Sequence, residues 1–131
     1  MREGDKRECE AVGLTPQRAV WRSYKASIFC VTSFIDGQLA TVGGMGGDFL
    51  SDIGNPWLFT TPAVEKVPKA YIEGTRAMVG RMLTMKPRLE NYVHADYRQA
   101  CGFLRLVGFT LGDPEPYGPK GAMFRKFWMV R

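Results

Sequence analysis

Few side chains in this 131-residue sequence could do chemistry. The only histidine, His94, follows Leu89-Glu90-Asn91-Tyr92-Val93. Its imidazole could act as a general base near neutral pH, or serve only as a hydrogen-bonding residue at a strand end. Cys9, Cys30 and Cys101 are an odd set without Cys-x-x-Cys spacing, which suits reduced, mostly buried thiols. With one histidine and no paired cysteines, no metal site is expected. Gly43-Gly44-Met45-Gly46-Gly47 puts four glycines in five residues. Glycine-rich runs can cradle phosphate, but the Walker lysine and the Rossmann spacing are absent and no obvious helix follows. A bent strand end or flexible loop is expected instead. Lys66 and Lys69 flank the start of a helical pattern, where they could attract an anion as point charges.

The formal net charge is +5, with the basic excess in Lys66 to Arg88 and Lys120 to Arg131. A phosphate-rich cofactor or a nucleic acid could use that charge, and a solvated basic surface would need no partner. No arginine-rich run or nucleic-acid motif strengthens the nucleic-acid reading. No apolar run approaches the ~20 residues of a membrane span. The start, MREGDKRECE, lacks the apolar core of a signal peptide, so a soluble, cytoplasmic or particle-packaged protein is expected.

These residues need elements to hold them, and the chain length suggests a single domain over 1–131. Asp5 with Glu8 has capping-box spacing and predicts a helix over about 6–12, with Asp5 as its cap and Gly13 as its stop. Thr15-Pro16 predicts a second helix to about Ala26, turning Ala19, Val20 and Tyr24 inward. Ser27 to Phe34 and Gln38 to Val42 form a hairpin around Asp36-Gly37. Asn55 to Thr61 is a strand apolar enough to be central. Pro68 opens a long helix whose apolar stripe is Val67, Tyr71, Gly74, Met78, Met82 and Met85. Gly74 and Gly80 weaken it by ~1 kcal/mol each against Ala, so close packing is expected there. Leu89 to His94 is a strand. Asp96 should cap the next helix, with Gln99 in capping-box spacing and an inner face of Ala100, Phe103, Leu104 and Val107. Gly108 should end it in a left-handed conformation. Phe109 to Leu111 begins a strand, and Ala122 to Val130 is the last one. The pattern predicts an α+β domain with a mixed sheet. Trp57, Phe59, Tyr92, Phe103, Leu104, Val107 and Phe109 are its expected core.

The segments NYVHADYRQACGFLRLVGF, GNPWLFTT and GDPEPYGPKGAMFRKFWM resemble a phage branch of the GNAT N-acetyltransferase superfamily. Some short-tailed phages carry members of that branch as small internal virion proteins. The resemblance runs from about Asp5 to Met129. It implies a mostly antiparallel mixed sheet flanked by helices. Superfamily members normally begin with a strand ahead of the two helices. Only four residues precede Asp5, so that strand should be missing, displaced or supplied by another chain. The bare sheet edge should then be covered by a virion protein, a second copy or the chain's own C-terminal residues.

The same resemblance implies where acetyl-CoA chemistry would sit. Superfamily enzymes hold the cofactor pyrophosphate on amides of a glycine-containing loop opening the long helix. Here that loop is Thr61-Pro62-Ala63-Val64-Glu65-Lys66-Val67-Pro68, with two prolines, no glycine and an opposing carboxylate. Lys66 and Lys69 are the cofactor-binding candidates that remain. The tyrosine that protonates the leaving thiolate has Leu104 in its place, and Tyr97 stands nearest the usual helix-opening asparagine. Asp48 and Asp52 are the carboxylates near the middle strands, and His94 is the candidate base. These departures favour a virion-associated structural or interaction component that has lost acetyl-CoA chemistry and needs no cofactor. The alternative is an active N-acetyltransferase moving an acetyl group from acetyl-CoA to an amine of a protein or small molecule.

Overall fold

The computed structural model describes residues 1–131. The elements are α1 (Glu3–Ala11), α2 (Pro16–Lys25), β1 (Ser27–Ile35), β2 (Gln38–Gly46), β3 (Ile53–Thr60), a 3-10 helix (Pro62–Lys66), α3 (Pro68–Met85), β4 (Arg88–His94), α4 (Arg98–Val107), β5 (Thr110–Leu111), β6 (Glu115–Tyr117) and β7 (Ala122–Val130). They build the expected α+β architecture around one seven-stranded sheet, ordered β1-β2-β3-β4-β7-β5, with β6 also on β7. Only β3 and β4 pair in parallel. No strand precedes α1, which leaves β1 as a sheet edge. The chain's own C-terminal residues do not cover that edge. They form β7, inside the sheet between β4 and the β5/β6 pair.

Several local signals act as read. Asp36 and Gly37 take φ of 50° and 77°, the left-handed pair that a tight hairpin turn needs. Thr15 caps α2 through the Arg18 amide, and Pro16 and Pro68 stand in first helical turns. Gly108 ends α4 at φ 120°, its amide reaching the Leu104 and Arg105 carbonyls. Of the two readings expected of the glycine run, it forms the strand end, not the flexible loop. Gly43 to Gly46 are strand residues of β2, all of them buried. At Gly44 a Cβ would overlap the Phe29 carbonyl oxygen and lie 3.2 Å from both Cys30 Cα and the Trp57 ring. The glycines therefore serve close packing of neighbouring backbones.

Other expectations need correction. Asp5 is not a cap: α1 starts at Glu3 after Arg2, and Asp5 is buried within the helix. Asp96 does not cap α4, whose N-cap is Tyr97 with no side-chain bond. Tyr24 is exposed. On α3 the buried residues are Val79 and Met82, while Met85 is exposed. A Cβ at Gly74 or Gly80 would meet nothing, so close packing is not their reason.

The main core gathers Met45, Val79, Met82, Leu89, Val93, Cys101, Val107, Phe109 and Phe127. Of the seven expected core residues, Val107 and Phe109 are buried and the other five are half-buried. They are half-buried because they face a cavity.

Candidate functional site

The cavity exists because two neighbouring strands part. β3 and β4 pair only at their starts, Ile53 with Arg88 and Gly54 with Leu89. Pro56, which has no N–H to give, stands just past that point. Two amide side chains span the widening gap. Asn55 Nδ2 donates to the Glu90 carbonyl at 2.9 Å and Asn91 Nδ2 to the Pro56 carbonyl at 2.8 Å. Beyond them opens a cavity of about 420 Å³ with mostly apolar walls. Trp57 and Phe59 of β3, Tyr92 of β4, and Phe103 and Leu104 of α4 line it. Tyr71 of α3 stacks on Phe103, ring centroids 4.3 Å apart and 7° from parallel, which ties the two helices beside it.

The wide end of the gap is held by α1. Asp5 Oδ2 accepts the Thr60 N–H and the Thr60 hydroxyl, both at 2.8 Å, and Asp5 Oδ1 accepts the Tyr97 hydroxyl at 2.7 Å. Arg2 adds its amide to the Thr60 carbonyl and its Nε to Thr60 Oγ1. One helical turn on, Glu8 Oε2 accepts the His94 N–H at 2.9 Å. The last amides of both parted strands thus end on carboxylates of one helix. Spacing of i and i+3 puts Asp5 and Glu8 on one face of α1. Gly4 lets that face press on Tyr97, whose ring occupies the space a Cβ there would need.

The electrostatics differ between the two acids. Burial pushes the Glu8 carboxyl up to about 7; the His94 amide opposes the rise and the Asp5 charge adds to it. Glu8 as a residue is half-buried, and Oε1 has no hydrogen bond from the protein. A carboxyl with these properties on a cavity wall can take a proton near neutral pH. The Tyr97 phenol is raised by burial and by its bond to Asp5, and the Tyr71 phenol by burial. Burial also pushes the Cys9 thiol up to about 11 and raises that of Cys101, so neither is poised as a nucleophile.

Of the side chains singled out in the sequence for chemistry, the structure brings only Leu104 and Tyr97 to the cavity wall. His94 meets it only through its backbone amide; its ring is tilted against Phe124 at 5.1 Å and is not part of the wall. Lys66 and Lys69 are exposed at the end of the 3-10 helix and the start of α3. Asp48 and Asp52 lie in the β2–β3 turn, away from the cavity. Leu104 is on the wall. Asp5, Glu8 and Tyr97 were missed as a group. Their signal was the acid pair at i,i+3, which also fits an ordinary helix cap.

The loop before α3 spends its amides on itself and on β2. Thr61 donates to the Ala40 carbonyl, Ala63 to Thr61 Oγ1, Val64 to the Thr61 carbonyl and Val67 to the Val64 carbonyl. Pro62 and Pro68 have no N–H. Lys69 and Ala70 are left as first-turn amides of α3. They border a shallow groove shared with Val67 and Glu73. No three His, Cys, Asp or Glu side chains converge as metal ligands, and no helix is long and apolar enough to cross a membrane.

Comparison with protein-family models and with curated protein sequences finds no match. Solved structures do match in fold. A GNAT-family acetyltransferase from Streptococcus pneumoniae superposes with a TM-score of 0.59 at 14% identity, covering 75% of this chain and 64% of that one. An acetyltransferase from Bacillus subtilis in complex with CoA gives 0.69 at 8% identity, covering 88% and 84%. An IAA acetyltransferase from Bacillus cereus gives 0.66 at 8% identity, covering 88% and 85%. The chain has the fold of GNAT acetyltransferases, and it spans less than two thirds of the length of the Streptococcus pneumoniae enzyme. None of these three structures is named as a phage or virion protein.

Proposed function

We propose that this chain is an acetyl-CoA-dependent N-acetyltransferase acting on an amine of a protein or small molecule, with Glu8 as general base. The observation that carries the reading is the cavity between the parted strands, with a carboxyl titrating near 7 on its wall. The walls fit one part of acetyl-CoA. Its pantetheine arm is slender, apolar along much of its length and studded with amides. Parted strands offer such an arm backbone groups that have lost their sheet partner. Trp57, Phe59, Tyr92, Phe103 and Leu104 would hold it. When bound, the cofactor supplies an activated acetyl thioester. Glu8, with Oε1 free, would accept the proton that an attacking amine must shed as its C–N bond forms; the thiolate displaced as the C–S bond breaks would take its proton from solvent, since Leu104 has none to give. Asp5 and Tyr97 keep α1 seated so that Glu8 stays at the wall.

The pyrophosphate fits less well. With most loop amides bonded internally, its holders reduce to the Lys69 and Ala70 amides and the ammonium groups of Lys66 and Lys69. Glu65 opposes them. That loop is what favours the second reading, a phage virion component on a GNAT fold without transfer chemistry.

The deciding experiment follows thiol release from acetyl-CoA at millimolar concentration with a polyamine and with a peptide bearing a free α-amine. Turnover that falls about 10²–10⁴-fold in Glu8→Gln, with KM little changed, supports the enzyme. No release above the Glu8→Gln level with either amine overturns it in favour of the virion component. Recovery of the chain from purified particles would then be the expected companion result.

A further inference from the structure

The edge strand β1 and the helix before it form a surface of which the acetyl-transfer reading uses only the β1 side chains that also line the cavity, Val31, Ser33, Phe34 and Ile35. Ser27 to Ile35, SIFCVTSFI, contains no charged residue and no proline across nine residues. Its outer side pairs with nothing in the chain. In an antiparallel edge strand, alternate N–H and C=O groups point away from the sheet. Such edges are normally blunted with Lys, Pro or a covering segment, because an open edge recruits another chain. Here the blunting devices are only register shifts at Ser27/Phe29 and Ser33/Phe34, which leave the stretch between them regular.

The surface of α2, which packs on β1, says what kind of chain would fit. Arg18, Trp21, Arg22 and Lys25 recur at i, i+3, i+4 and i+7 and are all exposed. Between Glu10 and Asp36 the sequence has no Asp or Glu at all. Trp21 is 61% exposed and Tyr24 56%, and their rings stack at 5.9 Å with the Lys25 ammonium 5.7 Å from the Trp21 ring. Phe34, on β1 itself, is 63% exposed. Three cations and a prearranged aromatic pair beside an uncharged open edge are complementary to an acidic strand.

We propose that β1 accepts an added strand from a different polypeptide, an extended segment whose carboxylates lie along α2 and whose apolar side chains meet Trp21, Tyr24 and Phe34. Main-chain hydrogen bonds to the edge would supply affinity, and the cations would select acidic sequences. A second copy fits less well. Two-fold pairing of β1 with itself would bring the same three cations of each α2 toward each other.

The test is selection from a displayed library of random peptides of about twelve residues, followed by titration of the synthetic winner. The expected winners are acidic, with alternating β-branched or aromatic residues. Their affinity should fall at least about tenfold in R18E/R22E/K25E and in raised salt. Methylating single peptide nitrogens should abolish binding with a period of two, because only alternate amides face the edge; this readout leaves the protein unaltered. Thr32→Lys, at an exposed edge position outside the cavity, should weaken binding while the circular dichroism stays unchanged. Failure to enrich any peptide, enrichment of neutral or basic ones, or a methylation scan without the period overturns the proposal. So does a dimer that Thr32→Lys dissociates, which would make a second copy the occupant. A single-stranded oligonucleotide that displaces the peptide and is lost in the charge-reversed variant would make the surface a nucleic-acid platform.

Discussion

Replacing Glu8 by Gln should flatten the pH dependence of stability in a window that the structure defines. The folded carboxyl titrates at about 7 against an ordinary 4.5. Between those values the folded protein holds a proton that the unfolded chain has released. Stability therefore falls as pH rises through the window, since the unfolded state binds fewer protons. Below the lower value the contribution is fully present; above the upper one it is lost. At ~1.4 kcal/mol per unit the full swing is about 3 kcal/mol, an upper bound because part of the residue reaches solvent. Gln keeps an oxygen for the His94 N–H and cannot ionise. Urea unfolding of both proteins at pH 4, 5, 6, 7 and 8 isolates the effect, because every other titrating group is common to both. The variant should match the wild type near pH 4 and exceed it near pH 8. A difference that stays flat, or that favours the wild type at high pH, would refute a buried, proton-holding Glu8 and with it the proposed base. If the site is catalytic, the transfer rate should rise with pH through a limb near 7, and that limb should vanish in the variant.

Four further outcomes are expected. Acetyl-CoA should bind with a dissociation constant of ~1 mM, near −4 kcal/mol, and S-acetylpantetheine within about tenfold of it, because the pyrophosphate finds few free amides; micromolar calorimetric binding abolished by charge reversal at Lys66 and Lys69 would contradict this. Asp5→Ala should cost about 3 kcal/mol or more in urea unfolding, since it strips three hydrogen bonds from Thr60 and Tyr97 and leaves a buried N–H unpaired. Gly44→Ala should cost about 2–4 kcal/mol, because the backbone of β1 and the Trp57 ring would have to move; an unchanged midpoint would mean the strands are less closely packed. Phe103→Ala should cost about 2–3 kcal/mol, below a fully buried aromatic, as its ring is stacked on Tyr71 but faces the cavity.

Local chemistry was enough to determine much of this protein. The Asp36-Gly37 turn, the Thr15 cap, Pro16 and Pro68 in first helical turns and the Gly108 stop each follow from backbone preferences acting within a few residues. Together with hydrophobic periodicity they yielded the α+β class and the order of the main elements. Pro62 and Pro68 likewise withhold an N–H from the loop before α3, because a missing N–H is missing in any fold. The site depended on distances that no local pattern encodes. Asp5 and Asp96 had equal claims as helix caps, and neither caps. Asp5 instead meets Thr60 and Tyr97, 55 and 92 residues away in sequence. Glu8 owes its proton affinity to burial beside the end of β4, a property of the packed chain and not of its neighbours in sequence. Lys86, read as part of a basic surface, is buried with its ammonium on the Asp48, Phe49 and Ser51 carbonyls. The cavity has the same origin. Apolar residues at strand and helix spacing predict a filled core, and only the early parting of β3 from β4 turns five of them into walls.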